Sequence, residues 1–424
     1  MKKILQNIGL LAGSSLLCLL IFEAAARLFI RPCDSCYGVF LGHQLPPFKA
    51  IMYNPLKDGQ LSSNDNNWWN GLVVDGSKIT LADLRGSYRE DSLLGYTHRE
   101  NFVSPNRWWQ TNNLGARSRD DTPRQKTQGK KRIILFGESF TDCIGLRQEE
   151  AWPFLLGKKS GGVEVINFAV GGYSMAECFL RYKMIKEKID YDAVVFVFSP
   201  SVDLWREISV VPYIGGDWTS HNTPSPRFVI EGGRLKLIKI PWEDMAEFYR
   251  ENRDCLSEGF RRHLRAYDRF YFWGKYEEIP FIGKSILFKL IAARYYNFKK
   301  TQMFRDIIRT DCEAVRISKK IFQAVSREAQ QEGRQFILVF FPPPRELLRN
   351  YRISPLLRRY WKELVPFIFE GGFPCIDLMG DFLLLRESQL DIAYDGEHYG
   401  PAVNRFIAEL LWENLKKTGS LQIN

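Results

Sequence analysis

The chain has 424 residues, 45% hydrophobic and 25% charged, with a formal net charge of +10, a balance that belongs to a folded protein and excludes a disordered or fibrous one. Its length suits one elaborated domain or two ordinary ones. The basic surplus admits an anionic neighbour such as lipid headgroups or acidic glycans, but the absence of zinc-finger spacing, an RRM-like aromatic signature or a dense Lys/Arg tract argues against nucleic acid.

At the amino end, Lys2 and Lys3 precede an apolar run from Ile8 to Phe22 that continues through Ala24, Ala25 and Ala26 to Leu28. Residues 1–30 read as a signal anchor, with Glu23 and Arg27 one helical turn apart near its far end. The two lysines favour a cytoplasmic amino end, so the remainder is expected outside the cytoplasm. A cleavable signal peptide, cut after Ala24 and Ala26, is the competing reading. Leu17 before Cys18 argues against a lipoprotein site. Eight cysteines occur, and Cys33 with Cys36, just past the apolar run, have the spacing of a local disulfide in an oxidising compartment.

Residues 31–130 form an extension of irregular pattern, rich in Pro, Gly, Asn and Trp, with pairs at Trp68/Trp69 and Trp108/Trp109 that suit a core, a lid or sugar stacking. An α/β rhythm follows over 131–424. Strands are predicted at Ile133–Phe136, Val163–Phe168, Ala193–Phe198, Gln335–Phe341 and Cys375–Leu378, and helices around Glu149–Lys159, Ser174–Lys188, Ile317–Gln330 and Pro401–Lys416. Continuous apolar strands between helices call for a parallel sheet covered on both faces. An insertion at about 205–310 interrupts it, with a hairpin turning at Gly232 and Gly233 and then a largely helical stretch. Within it, Ile286–Lys300 suits either a helix packed on the domain or one lying on a membrane surface.

Gly137–Thr141, GESFT, follows the first strand directly, which places Ser139 at the carboxyl edge of the sheet, where α/β proteins build their sites. A serine hydroxyl needs a base, and an imidazole needs a carboxylate to fix its tautomer. Asp395 and His398, in DGEHYGPAVNRF, supply both on one short turn before the last helix.

Together these segments resemble the SGNH, or GDSL-like, hydrolase family over roughly Asp91 to Leu411 without the insertion, and its membrane-anchored bacterial members most closely. GESFTDCIGL (Gly137–Leu146) matches the first block, with Glu138 where the family often has Asp; TNNLGARS (Thr111–Ser118) matches an element preceding it in anchored members; NFAVGGYS (Asn167–Ser174) matches the second block. In the third block Val202 stands where the family usually has an oxyanion-binding Asn.

The resemblance implies a three-layer α/β sandwich around a central parallel sheet of flavodoxin-like type, carrying an N-terminal membrane helix and the helical insertion. It implies an ester hydrolase with Ser139 as nucleophile, His398 as base and Asp395 orienting it, and no metal or other cofactor. The oxyanion donors would be the Ser139 and Gly172 N–H groups, with Ser201 as a substitute for the missing amide. The expected substrate is an acylated small molecule or glycan, met on the periplasmic side of a bacterial membrane. An O-acyltransferase acting on an envelope polysaccharide, and a non-catalytic glycan-binding or assembly protein, are the alternatives.

Overall fold

The computed structural model describes residues 2–33, 36–47, 73–74, 77–78, 86–104, 107–211, 224–243, 257–272, 274, 279–342, 345–394 and 398–417. Five parallel strands make the central sheet: β1 (Lys131–Phe136), β2 (Val163–Asn167), β3 (Ala193–Phe198), β4 (Gln335–Phe340) and β5 (Cys375–Asp377). Their spatial order is β2-β1-β3-β4-β5, the flavodoxin-like winding that reverses direction between β1 and β3. All six residues of β3 are buried. A strand with helices over both its faces has no solvent side on which polar residues could alternate, and AVVFVF contains none.

Two helix pairs flank the sheet. Trp152–Ser160 packs with Pro401–Lys417, and Met175–Ile185 packs with Glu313–Gln331. Glu313–Gln331 buries Ala314, Ile317, Ile321 and Val325, the stripe its spacing predicts. Met175–Ile185 begins in a capping box in which the Ser174 hydroxyl accepts from Ala176 N while Glu177 accepts from Ser174 N. Between β4 and β5 lie two further helices, Arg345–Ile353 and Pro355–Phe369. Sequence reasoning places no element there.

By internal contacts the chain forms two compact units. One joins residues 1–52, 213–222 and 241–305, and the other holds 53–212, 223–240 and 306–424. The sheet unit includes the hairpin Arg227–Glu231/Arg234–Ile238, turning at Gly232 and Gly233 as expected, and a second antiparallel pair, Tyr88–Asp91 with Gly95–His98, inside the stretch read as irregular. Trp108 and Trp109 belong to its core. Trp68 and Trp69 lie outside the described residues. The first unit contains the helices Lys2–Arg27 and Ile286–Asp306 and a small antiparallel sheet, Ile30–Arg31, Gly38–Phe40 and His43–Leu45. Within the first helix, Gln6–Arg27 spans 22 residues at a mean hydropathy of 2.0, long and apolar enough to cross a membrane. Cys33 and Cys36 are joined in a disulfide.

Candidate active site

Ser139 begins a four-residue helix immediately after β1, at the point between β1 and β3 where the winding reverses and a crevice opens at the strand ends. The turn is tight. A Cβ on Gly137 would lie 2.4 Å from Thr141 Oγ1 and 2.8 Å from its Cβ, so only glycine lets the chain fold back so sharply. Gly172, on the loop after β2, has φ +87°, and a Cβ there would lie 2.5 Å from Tyr96 Oη. Ser201 lies in the short helix Pro200–Asp203 after β3, and its Oγ is buried without a hydrogen-bond partner among the described residues.

Among the described residues, neither the Ser139 nor the Gly172 backbone N–H has a hydrogen-bond acceptor. The groups around them are committed: Gly171 N donates to Asp142 Oδ2 at 3.0 Å, and Tyr96 Oη donates to Gly171 O at 2.7 Å. Ser139 N heads a short helix and Gly172 N lies on a loop held in place, so both remain available to an acceptor.

Three buried groups hold the two loops, and sequence reasoning missed what each does. Asp142 Oδ2 lies 3.1 Å from His98 Nε2 as well as accepting from Gly171 N, so one carboxylate joins the serine helix, the glycine loop and the Gly95–His98 strand. Arg117, from the TNNLGARS element, donates to the carbonyls of Asp142, Cys143 and Leu146 and stacks 4.0 Å over Trp109. Asn167 Nδ2 donates to Thr141 O at 2.7 Å. A histidine among apolar and aromatic neighbours at Tyr96–His98 was the available signal, but its partner lies 44 residues away.

The carboxyl-terminal block reaches the same place. The His398 ring lies 4.8 Å from that of Phe140, Tyr399 lies 5.4 Å from it, and Asn404 Oδ1 accepts from Trp152 N at 3.1 Å. Trp152 Nε1 in turn donates to Phe140 O at 3.1 Å. His398 is therefore packed, half-buried, on the residue that follows Ser139. Asp395 lies outside the described residues.

The Ser139 hydroxyl donates to Glu138 Oε2 at 2.6 Å, while Glu138 Oε1 accepts from Phe140 N at 3.1 Å as the helix cap. Behind Glu138 lies a buried acidic cluster. Asp203 accepts from Ser199 N at 2.6 Å, and burial, reinforced by the charge of Glu138, holds its carboxyl well above the usual range against the pull of Arg206. Burial likewise pushes Glu177 up to about 7 and Glu207 up to about 8. Arg206 is the counter-charge, its Nη1 4.0 Å from Glu138 Oε2. No group of three or more His, Cys, Asp or Glu side chains suited to a metal ion occurs among the described residues.

No family model and no curated protein matches the chain. Solved esterases and lipases do. The psychrotrophic esterase EstA from Pseudoalteromonas sp. is 11% identical at a TM-score of 0.34, over 68% of this chain and 98% of that one. The acetyl xylan esterase AlAXEase is 14% identical at 0.34, over 66% and 98%. A GDSL-like lipase from Bacteroides thetaiotaomicron is 10% identical at 0.32, over 69% and 92%. These likenesses are distant, and the topology and contacts described above stand without them.

Proposed function

We propose that this chain is a serine ester hydrolase of the SGNH type, acting outside the cytoplasm on an acylated small molecule or glycan. One observation carries the reading: a serine at the switch point of a doubly wound sheet, beside two unpaired backbone N–H donors, with a histidine-bearing segment packed on the next residue. In this scheme Ser139 attacks the ester carbonyl and His398 takes the hydroxyl proton, later returning one to the leaving alcohol. Asp395 orients the imidazole. The Ser139 and Gly172 N–H groups receive the tetrahedral oxyanion, with the Ser201 hydroxyl, unpartnered among the described residues, as the substitute for the missing amide donor. The Cys33–Cys36 disulfide and the apolar helix favour an extracytoplasmic, membrane-anchored enzyme on the periplasmic side of a bacterial envelope.

The test is labelling of the full-length protein by a fluorophosphonate. Wild type should react, Ser139→Ala should not, and His398→Ala should react at least about 10²-fold more slowly, as expected for loss of a general base. Absence of labelling in the wild type, with no hydrolysis of short acyl esters, would sink the enzyme reading. It would favour a non-catalytic glycan-binding or assembly role, the reading that Val202 and the long insertion motivate. An oligosaccharide acceptor added to the acyl-enzyme, with mass spectrometry of the sugar, separates hydrolase from O-acyltransferase.

A further inference from the structure

The first compact unit, taken by itself, carries an apolar surface that its own fold leaves uncovered. Glu23, near the carboxyl end of the Lys2–Arg27 helix, caps the helix Ile286–Asp306: its carboxylate accepts from Ile286 N at 2.8 Å, Leu287 N at 3.3 Å and Ser285 Oγ at 3.1 Å. Arg27 donates to Lys284 O at 3.0 Å. Ile286 packs with Ala26, Phe40 and Leu45, flanked by Ile30 and Leu290, which fixes which face of the second helix meets protein.

A helix with one face on protein and the other in water is polar on the second face. Here the exposed residues mix polar groups such as Arg294, Asn297 and Lys300 with large apolar ones. Ile291, Tyr295 and Phe298, spaced as one helical stripe, are each half or more exposed at 59%, 50% and 58%. On the loop entering the helix Phe281 is 97% exposed, and Leu28 and Phe29 are exposed just past the end of the apolar helix. Between Ile279 and Arg305 there are six lysines and arginines and no Asp or Glu. Of these, Lys284, Arg294, Lys300 and Arg305 are exposed.

We propose that Phe281 and the Ile291/Tyr295/Phe298 stripe dock into the headgroup and acyl boundary of a bilayer containing anionic lipid. The inference rests on Gln6–Arg27 crossing that bilayer. What selects lipid over a protein partner is continuity and charge: the stripe belongs to a helix hydrogen-bonded through Glu23 to the end of the apolar span, and the segment 279–305 that carries it has six lysines and arginines and no Asp or Glu. Apolar side chains would enter the boundary while the lysines and arginines reach phosphate.

The experiment is photolysis of the full-length protein in vesicles containing an acyl-chain diazirine lipid, with adducts mapped by mass spectrometry. Two vesicle compositions are compared, phosphatidylcholine alone and phosphatidylcholine with phosphatidylglycerol. Adducts are expected on 6–29 and also on 281–298. The second set should rise several-fold with phosphatidylglycerol and fall several-fold in Phe281→Ser/Ile291→Ser/Phe298→Ser, whose altered residues are exposed and whose adducts on 6–29 serve as the folding and insertion control. Adducts confined to 6–29 in both vesicle compositions would overturn the proposal. Absence of adducts on 6–29 would overturn the spanning helix with it.

Discussion

At the scale of single residues, the Ser139 hydroxyl is held by a neighbour that the hydrolase reading gives no catalytic part. Its proton is directed at Glu138 Oε2, 2.6 Å away, and a hydrogen bond to a charged group contributes about 1.5–3 kcal/mol. Attack on an ester first requires that bond to be exchanged for one to the base. Glu138→Asp withdraws the carboxylate by one methylene and keeps a competent helix cap, so fluorophosphonate labelling is expected to accelerate, by up to about tenfold for 1.4 kcal/mol released. Equal or slower labelling would mean that Glu138 assists the serine instead of detaining it. Val202 is the second residue-scale lever. An asparagine at that position would restore the amide donor that the resemblance expects, and Val202→Asn should raise kcat on a short acyl ester by about 10²-fold, with KM little changed. Steady-state kinetics of the two proteins decide it.

At the scale of elements, the site depends on how closely the loop after β2 can approach the strand Gly95–His98. Tyr96 Oη both donates to Gly171 O and occupies the space a side chain at residue 172 would need. Gly172→Ala therefore meets a positive φ and a collision together, and is expected to lower stability by about 1–3 kcal/mol and abolish labelling. Tyr96→Phe in the same chain removes the colliding oxygen but not the backbone strain. Thermal unfolding of both singles and the double variant should give a favourable coupling of about 1 kcal/mol, because the two residues touch. Strict additivity would show that the collision is relieved by loop movement. The strands and the serine turn were legible in the sequence because each is a local pattern, an apolar run leading into a glycine turn, whereas the glycine loop was legible only through the resemblance of NFAVGGYS to a family block. The Tyr88–Asp91/Gly95–His98 pair that braces them was not legible, since strands of four residues, one of mixed burial and one buried throughout, are too short to carry a periodic signal.

At the scale of the molecule, the parallel sheet could be read from Ile133–Phe136 and Ala193–Phe198 because burial on both faces leaves unbroken apolar runs. The helices Arg345–Ile353 and Pro355–Phe369 were hidden by prolines that normally mark breaks; Pro355 sits at a helix start, capped by Ser354, and Pro366 inside one. The acidic cluster was hidden for another reason. Glu138, Glu177, Asp203 and Glu207 are spread over 70 positions of sequence and meet only when β1, β2 and β3 align their carboxyl ends. Its consequence is global. Glu207 titrates near 8 when folded, and Glu177 near 7, against 4.5 for an ordinary glutamate, chiefly because burial penalises their charged forms. From about pH 4.5 upward the unfolded chain has lost protons that the folded chain still holds, so stability falls as pH rises, by at most about 1.4 kcal/mol per unit per group, until each folded value is passed. The stability present below pH 4.5 is thus lost through the range ending near 7 for Glu177 and near 8 for Glu207. Glu207→Gln keeps an oxygen that can accept from Ala176 N, as Glu207 Oε1 does at 3.0 Å, and has nothing to ionise. Urea unfolding at pH 5 and pH 8 should show the wild type losing stability across that interval and the variant losing less, with the difference largest at pH 8 and vanishing towards pH 4.5. A variant whose decline parallels the wild type would place the proton uptake elsewhere in the cluster, with Glu177→Gln as the next substitution to lose the slope.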